Sequence, residues 1–344
     1  MKSPFRPLDI AVLCGGTSSE RDVSLASAAQ VVPALRQVGH TVQVVDTAVG
    51  LLGAEQERRW IGDGVIPAPD LRQARHRREA VDAATVIKTH AGAYDLVFLT
   101  LHGGTGEDGT VQALLDVLDV PYTGSGHAAS AICMDKDLSK RLFRAAGIRT
   151  PDWQCLDRRS SRTSEPPLGL AFPVIVKPNR QGSTIGLSLA RNRPELERAI
   201  EYASRFDHEV LIETFIAGRE LTVGVLEGRP LTVGEILVAQ EGVFDFESKY
   251  TPGATAEVFP ASVPSAVARE AERMALAAHQ VLKLNDYSRA DFRLDRAGNL
   301  WLLEVNSLPG LTTTSLLPQS AAASGIAFAE LCDRICRLAL ARRG

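Results

Sequence analysis

The sequence predicts an α/β fold that opens on a doubly wound parallel sheet and continues through α+β segments, with three domains in all. Three observations carry that prediction. A strand-turn-helix-strand pattern starts at residue 10, apolar runs and helical periods alternate from there to residue 124, and beyond residue 210 strands dominate between helices. A length of 344 residues agrees, because one domain takes roughly 100–200. The expected division is an N-terminal α/β domain at residues 1–124, a central domain at 125–216 and a C-terminal domain at 217–344.

Residues 10–14 read as a buried strand, Gly15 and Gly16 as a turn, Asp22 onward as a helix, and residues 41–45 as a second strand. Residues 47–80 are polar and irregular, and the basic stretch at Arg72, Arg75, Arg77 and Arg78 reads as a solvated helix face. A third apolar run, 94–101, ends in HGGTGEDG and leads into a helix at about 110–118 and a short strand at 120–123. Residues 126–147 are helical in pattern and stop at Gly147 and Pro151, after which residues 173–177 form a strand. A helix at 264–282, two alternating strands and a final helix at 327–342 complete the chain, with no internal repeat.

Apolar residues at 45% and charged residues at 23% suffice for real cores and a solvated surface. The formal net charge of -3 offers nucleic acid or an anionic membrane no general attraction, so a small-molecule partner is expected. Cys14, Cys133, Cys155, Cys332 and Cys336 are scattered without CxxC spacing and read as structural free thiols of a reducing, cytoplasmic compartment. The apolar run at 10–14 is too short for a signal-peptide core, and no stretch approaches the roughly 20 apolar residues of a membrane span.

The richest chemistry lies in RADFRL and LLEVN, two runs joined by DRAGN, a hairpin signal. Alternation puts Arg289 and Asp291 on one face of the first strand, and Glu304 and Asn306 on one face of the second. A loop at 296–299 sets Asp291 opposite Glu304 and Arg289 opposite Asn306. Two carboxylates and an amide oxygen then converge as hard ligands for Mg²⁺, with a guanidinium beside them for the anion that the metal carries. Cross-strand salt bridges on a solvated sheet face fit the same pattern. In VIVKPNRQGSTIG, a strand ends in Lys177 and runs into a loop of Gly, Ser and Thr whose small residues let backbone N–H groups approach phosphate. The spacing is neither a Walker A loop nor a GxGxxG fingerprint, and a plain turn with a surface lysine is the alternative. Lys136 stands at a helix start. Glu213 and Glu220 sit at strand ends, where a carboxylate can accept from an adenine amino group or a ribose hydroxyl, or be surface charge. Glu20 lies in a strand-to-helix loop, where open α/β sheets gather ligands, and helix N-terminal charge is its plainer reading. His102 occupies another such loop.

Taken in order, GGTSSERDVSL, LHGGTGEDGTVQ, VPYTGSG, SAICMDK, VIVKPNRQGSTIG, LIETFIAGRELTVGVL, FDFESKY, RADF and LLEVNSLPGLTTTSLLP resemble the D-alanine:D-alanine ligase family of ATP-grasp enzymes over nearly the whole chain. The resemblance implies a three-domain ATP-grasp architecture, with ATP between the central and C-terminal domains. It implies phosphate held by Lys136, Lys177, Ser183 and Thr184, adenine and ribose by Glu213 and Glu220, and two Mg²⁺ ions, replaceable by Mn²⁺, by Asp291, Glu304 and Asn306. Glu20 matches the binder of the first substrate's ammonium group, and His102 lies near that substrate in the family. Arg289 and the backbone N–H of Gly310 match its oxyanion donors, and Ser315 with Leu316 matches the binder of the second substrate's carboxylate. Lys249 and Tyr250 match a loop that closes over the family's site, the tyrosine toward Ser183 and Glu20. The implied reaction joins two D-alanine molecules through an acyl phosphate for peptidoglycan precursors, in a homodimer. The alternative is a ligase of altered second-substrate specificity, using D-serine, D-lactate or another amino acid; the Lys249–Tyr250 pair favours an amine. This chain departs from the family at Thr184, where serine is common, at Phe244 and Phe246, which replace loop tyrosines, and at Ala113, which replaces a glycine.

Overall fold

The Ile-Ala-Val-Leu run that opens the chain forms β1 (Asp9–Cys14), buried from Ile10 onward. In this computed structural model the structure describes residues 6–62, 93–159, 169–238 and 255–342. Lys249, Tyr250, Phe244, Phe246 and the arginines between 72 and 78 lie outside the described residues. The described residues form two compact units, both discontinuous in sequence. The first runs to Ser130 and takes in Leu284–Ser288 and the chain from Ser307; the second comprises Ala131–Lys283 and Arg289–Asn306.

In the first unit β1 pairs in parallel with β2 (Thr41–Asp46), which β3 (Gly50–Leu51) extends antiparallel at the edge; β4 (Leu96–Leu99) lies parallel on the other side of β1. The expected strand at 120–123 is reduced to a single parallel bridge, Val97 to Tyr122, because Pro121 offers no N–H and Gly124 turns away with φ +87°. The helix Arg21–Val38 buries Leu25, Ala28, Val31, Val32 and Leu35, spaced for one helical face, and stops at Gly39 in the left-handed conformation. The final helix, Phe328–Ala341, packs on it and buries Leu331, Cys332, Ile335, Cys336 and Ala339. His40 fastens the same unit. Its Nδ1 accepts from the Leu8 N–H at 3.1 Å, so the ring proton sits on Nε2, 3.0 Å from Asp333 Oδ1.

The second unit holds two sheets. One has the order β5-β8-β6-β7, from β5 (Trp153–Asp157), β6 (Val174–Pro178), β7 (Ser188–Ala190) and β8 (Glu209–Thr214), all antiparallel neighbours. Its apolar face packs against the helix Arg193–Ala203, which was not anticipated although its marks are local. Asn192 accepts from the Glu195 N–H at 3.0 Å, Pro194 occupies the first turn, and Leu196, Ala199, Ile200 and Ala203 form the buried stripe. The other sheet runs β12-β11-β9-β13-β14, with β9 (Gly218–Leu226), β10 (Arg229–Pro230) paired to it, β11 (Gly234–Val238), β12 (Thr255–Val258), β13 (Tyr287–Asp295) and β14 (Leu300–Asn306). The helix Ser265–Val281 covers β9 and β14. The helical stretch expected at 126–147 is broken in two, His127–Met134 and Lys136–Ala145. Asp135 leaves helical geometry to cap the second helix by accepting from the Leu138 N–H at 3.0 Å.

The hairpin β13–β14 has the expected register at its functional end, Asp291 opposite Glu304 and Arg289 opposite Asn306. Near the turn the pairing is one residue different, Leu294 with Leu300, and a bulge makes up the difference at Leu303. The five cysteines are free, and burial pushes the Cys332 thiol up to about 12, in keeping with inert structural thiols. Among the described residues no helix is long and apolar enough to cross a membrane.

Candidate active site

A cleft opens within the second unit, concave and lined by apolar walls with a few charged side chains as small-molecule sites are. Strand β6 brings Ile175 and Lys177 to it, and β8 brings Glu213 with Phe215 and Ile216 following. Strand β9 brings Glu220, β13 brings Asp291 and Arg293, and β14 brings Leu303 and Glu304. Leu303 and Glu304 are adjacent yet both line the cleft, which strict alternation forbids and the bulge permits. The loop after β6 contributes Gly182, Ser183 and Thr184. Ser183 and Thr184 are consecutive left-handed residues with φ of 49° and 58°, a conformation that β-branched Thr adopts only at a cost.

Charge in the cleft is organised around Glu213, which is only 3% exposed and so is no surface carboxylate. Its Oε1 accepts from Lys177 Nζ at 2.7 Å and its Oε2 from Lys140 Nζ at 2.9 Å. Burial pushes the Glu213 carboxyl up, but the two ammonium groups outweigh it and leave it ionised below its ordinary range. Lys177 moves up, burial being overcome by Glu213 and Glu304. Lys136 donates to the Gln181 carbonyl at 2.7 Å and lies 3.4 Å from Glu304 Oε2. Glu220 pairs with Arg293 at 3.1 Å, and the Arg293 guanidinium stands 5.6 Å from the Phe215 ring. Sequence reading missed Lys140, Phe215 and Arg293. Lys140 stands four residues beyond Lys136 on one helix, a spacing that puts both on one face.

On the hairpin, Arg289 grips its strand neighbour Asp291 with Nε–Oδ1 at 2.9 Å and Nη2–Oδ2 at 2.8 Å. Asp291 also accepts from Thr222 Oγ1 at 2.8 Å and Asn306 Nδ2 at 3.0 Å. Arg289 thus pairs with Asp291 along β13, and Glu304 lies toward Lys136. Among the described residues no group of three or more His, Cys, Asp or Glu side chains could hold a metal. Two carboxylates and an amide still fit Mg²⁺, which takes one or two protein carboxylates and completes its shell with water and substrate phosphate.

In the first unit, Glu20, His102 and the loop at Gly310 gather around the start of the helix Arg21–Val38. Ser27 on that helix, also missed from sequence, ties two of them. His102 Nδ1 faces Glu107 Oε1 at 3.3 Å, which places the proton of the neutral ring on Nδ1 and lets Nε2 accept from Ser27 Oγ at 3.3 Å. Ser27 Oγ in turn accepts from the Leu311 N–H at 3.3 Å. Gly103, at φ +66°, leaves room for the Glu20 carboxylate, since a Cβ there would fall 2.6 Å from Glu20 Oε2. The buried Arg21–Asp46 ion pair pins the loop that carries Glu20, with Arg21 Nη1 also on the Gly16 carbonyl at 2.8 Å. Ser315 Oγ accepts from the Thr312 N–H at 3.2 Å and lies against Gly310, and Leu316 begins the helix Leu316–Ala323. The first unit therefore brings together Glu20, His102, Gly310, Ser315 and Leu316. The second brings together Lys136, Lys177, Ser183, Thr184, Glu213, Glu220, Arg289, Asp291, Glu304 and Asn306.

A cleft between antiparallel sheets, lined by lysines, a left-handed turn, apolar side chains and paired carboxylates, defines a nucleotide-binding enzyme. The chain matches the family model of the D-ala D-ala ligase N-terminus over residues 9–125 and that of the D-ala D-ala ligase C-terminus over residues 142–337. A D-alanine--D-alanine ligase of Nitratidesulfovibrio vulgaris strain DP4 is 40% identical over 337 residues, covering 98% of this chain and 100% of that one. One from Gluconobacter oxydans is also 40% identical over 337 residues, covering 97% and 100%. Among solved structures, a D-alanine--D-alanine ligase from Bacillus anthracis complexed with ATP aligns with a TM-score of 0.77 at 30% identity, covering 98% of both chains. The chain belongs to the D-alanine:D-alanine ligase family.

Proposed function

We infer that this protein joins two D-alanine molecules to D-alanyl-D-alanine at the expense of ATP, forming ADP and phosphate. The observation that carries the reading is the match to both halves of the family, in order, along one chain. The cleft supports it: Lys136 and Lys177 face a polyphosphate with Ser183 and Thr184, and the apolar walls with Glu213 and Glu220 suit a base and a ribose. The carboxylate oxygen of the first D-alanine attacks the γ-phosphorus and ADP departs. The neutral amine of the second then attacks the acyl carbon and gives up a proton to water, while the C–O bond breaks and phosphate departs with its electron pair. The two anions of the first step repel each other; Asp291, Glu304 and Asn306 would hold Mg²⁺, or Mn²⁺ in its place, which would supply the offsetting charge. Arg289 and the Gly310 N–H act as oxyanion donors, Glu20 takes the first ammonium group with His102 beside that substrate, and Ser315 and Leu316 take the second carboxylate. The roles of Lys249 and Tyr250 rest on the resemblance alone.

Phosphate release from ATP and Mg²⁺ tests this, with D-alanine, L-alanine, D-serine and D-lactate in parallel and products weighed by mass spectrometry. Release with D-alanine as sole amino acid, yielding the dipeptide, is the expected outcome; silence with D-alanine alone removes the reading. A cytoplasmic homodimer supplying peptidoglycan precursors belongs to the same proposal and rests on the family resemblance. Light scattering checks the state: a mass near twice 37.0 kDa is expected, and a monomer at working concentration refutes it.

A further inference from the structure

Lys140 does not itself line the cleft and stands behind Glu213, which does. Its side chain is 1% exposed, its ammonium donates to Glu213 Oε2 at 2.9 Å and Thr150 Oγ1 at 2.8 Å, and it stands 5.1 Å from the Trp153 ring. A buried ammonium is costly, and a hydrophobic side chain of the same length would serve packing as well or better. The arrangement around Glu213 explains its presence. Lys177 carries charge to the cleft, yet Glu213 lies 2.7 Å from it, and a lone Lys177–Glu213 pair would be neutral. A second lysine on the other carboxylate oxygen leaves the group with net positive charge and fixes the carboxylate with one ammonium on each oxygen.

We propose that Lys140 is a positioning residue for the nucleotide, one that keeps the charge Lys177 presents to a polyphosphate from being cancelled by Glu213. The inference rests on the nucleotide reading of the cleft. The charged groups facing Lys140 are Glu213 from β8, Lys177 from β6 and Arg144 from its own helix. Burial pushes the Lys140 ammonium down to about 8 against the pull of Glu213, whereas Lys177 is raised. Of the three members of the group, Lys140 is thus the one that changes charge between pH 7 and 9, and it supports binding in its protonated form, below its pKa.

The experiment is calorimetric titration of the full chain with ADP and Mg²⁺ from pH 6.5 to 9.5, on the wild type and on Lys140→Met, each checked by thermal melting. Wild-type affinity is expected to fall about tenfold as pH rises through 8, and the variant to bind about tenfold more weakly at pH 7 with no such fall. A buried lysine that served packing alone would leave both profiles alike. Equal affinity and equal pH dependence in the folded variant, or a flat wild-type profile, overturns the proposal. The wild-type profile decides the matter even if the variant does not fold. A wild type that binds no ADP at any pH instead defeats the nucleotide reading, and this inference with it.

Discussion

Exchange of Glu304 for glutamine is expected to lower ATP-dependent turnover by roughly a thousandfold or more, equivalent to about 4 kcal/mol of transition-state stabilisation. The substitution is close to isosteric and the side chain is partly exposed, so the fold and melting temperature should be unchanged. What it removes is charge. Glu304 and Asp291 face each other across the hairpin and are the two acids among the proposed ligands; after the exchange one carboxylate and two amides are left to hold a divalent ion. The same change frees Lys136 from the anion 3.4 Å away, which should tighten ATP binding slightly without restoring turnover. The check is kcat at ordinary and raised Mg²⁺, alongside the nucleotide Kd. Near-normal kcat at ordinary Mg²⁺ would place Glu304 outside the metal site.

Glu213→Ala should be the most damaging single change to stability in the second unit. It strands two buried ammonium groups, and breaking a buried pair costs about 3–5 kcal/mol even where only one charge is left behind. With roughly 2–4 °C lost per kcal/mol for a domain of 150–250 residues, the unit's melting temperature should fall by about 10 °C or more. The pH dependence has a definite sign. A lysine whose folded pKa lies below its unfolded value of 10.5 contributes stability that is full above 10.5 and is lost as pH falls through the folded value, about 8 for Lys140 in the wild type. Without Glu213 the Lys140 ammonium is pushed further down and Lys177, raised in the wild type, loses the carboxylate that overcame its burial, so the deficit of the variant should shrink as pH rises from 7 toward 10. Thermal melts of both proteins across that range are the test, and a deficit that is constant or grows with pH contradicts the account.

The hairpin shows how much of this site could be read from residue order. Arg289, Asp291, Glu304 and Asn306 announce their facing through period-two alternation and a turn, both local signals. The bulge at Leu303 escapes such reading, because one extra residue in a strand alters spacing without altering residue type; here it compensated a different turn and left the functional register as expected. Glu213 looked like a strand-end charge because its partners lie 36 and 73 positions away. Ser27, which joins His102 and Leu311 across separations of 75 and 284 residues, carries no mark in its own helix beyond being small and polar. The packing of the helix Phe328–Ala341 on Arg21–Val38 was hidden for the same reason: apolar periodicity marks a helix but says nothing of the surface it covers. The helix Arg193–Ala203 went unread although Asn192, Pro194 and the spacing of Leu196, Ala199, Ile200 and Ala203 mark it locally.

A ribosome delivers Arg21–Val38 long before Phe328–Ala341, the helix that packs on it, exists. At roughly 5–20 residues per second, the first helix waits on the order of tens of seconds with part of its apolar surface uncovered. All of Ala131–Lys283 must leave the exit tunnel in the meantime. The later unit in sequence can therefore assemble before the earlier one is finished, and the chain completes its first unit only after its last helix is free of the ribosome.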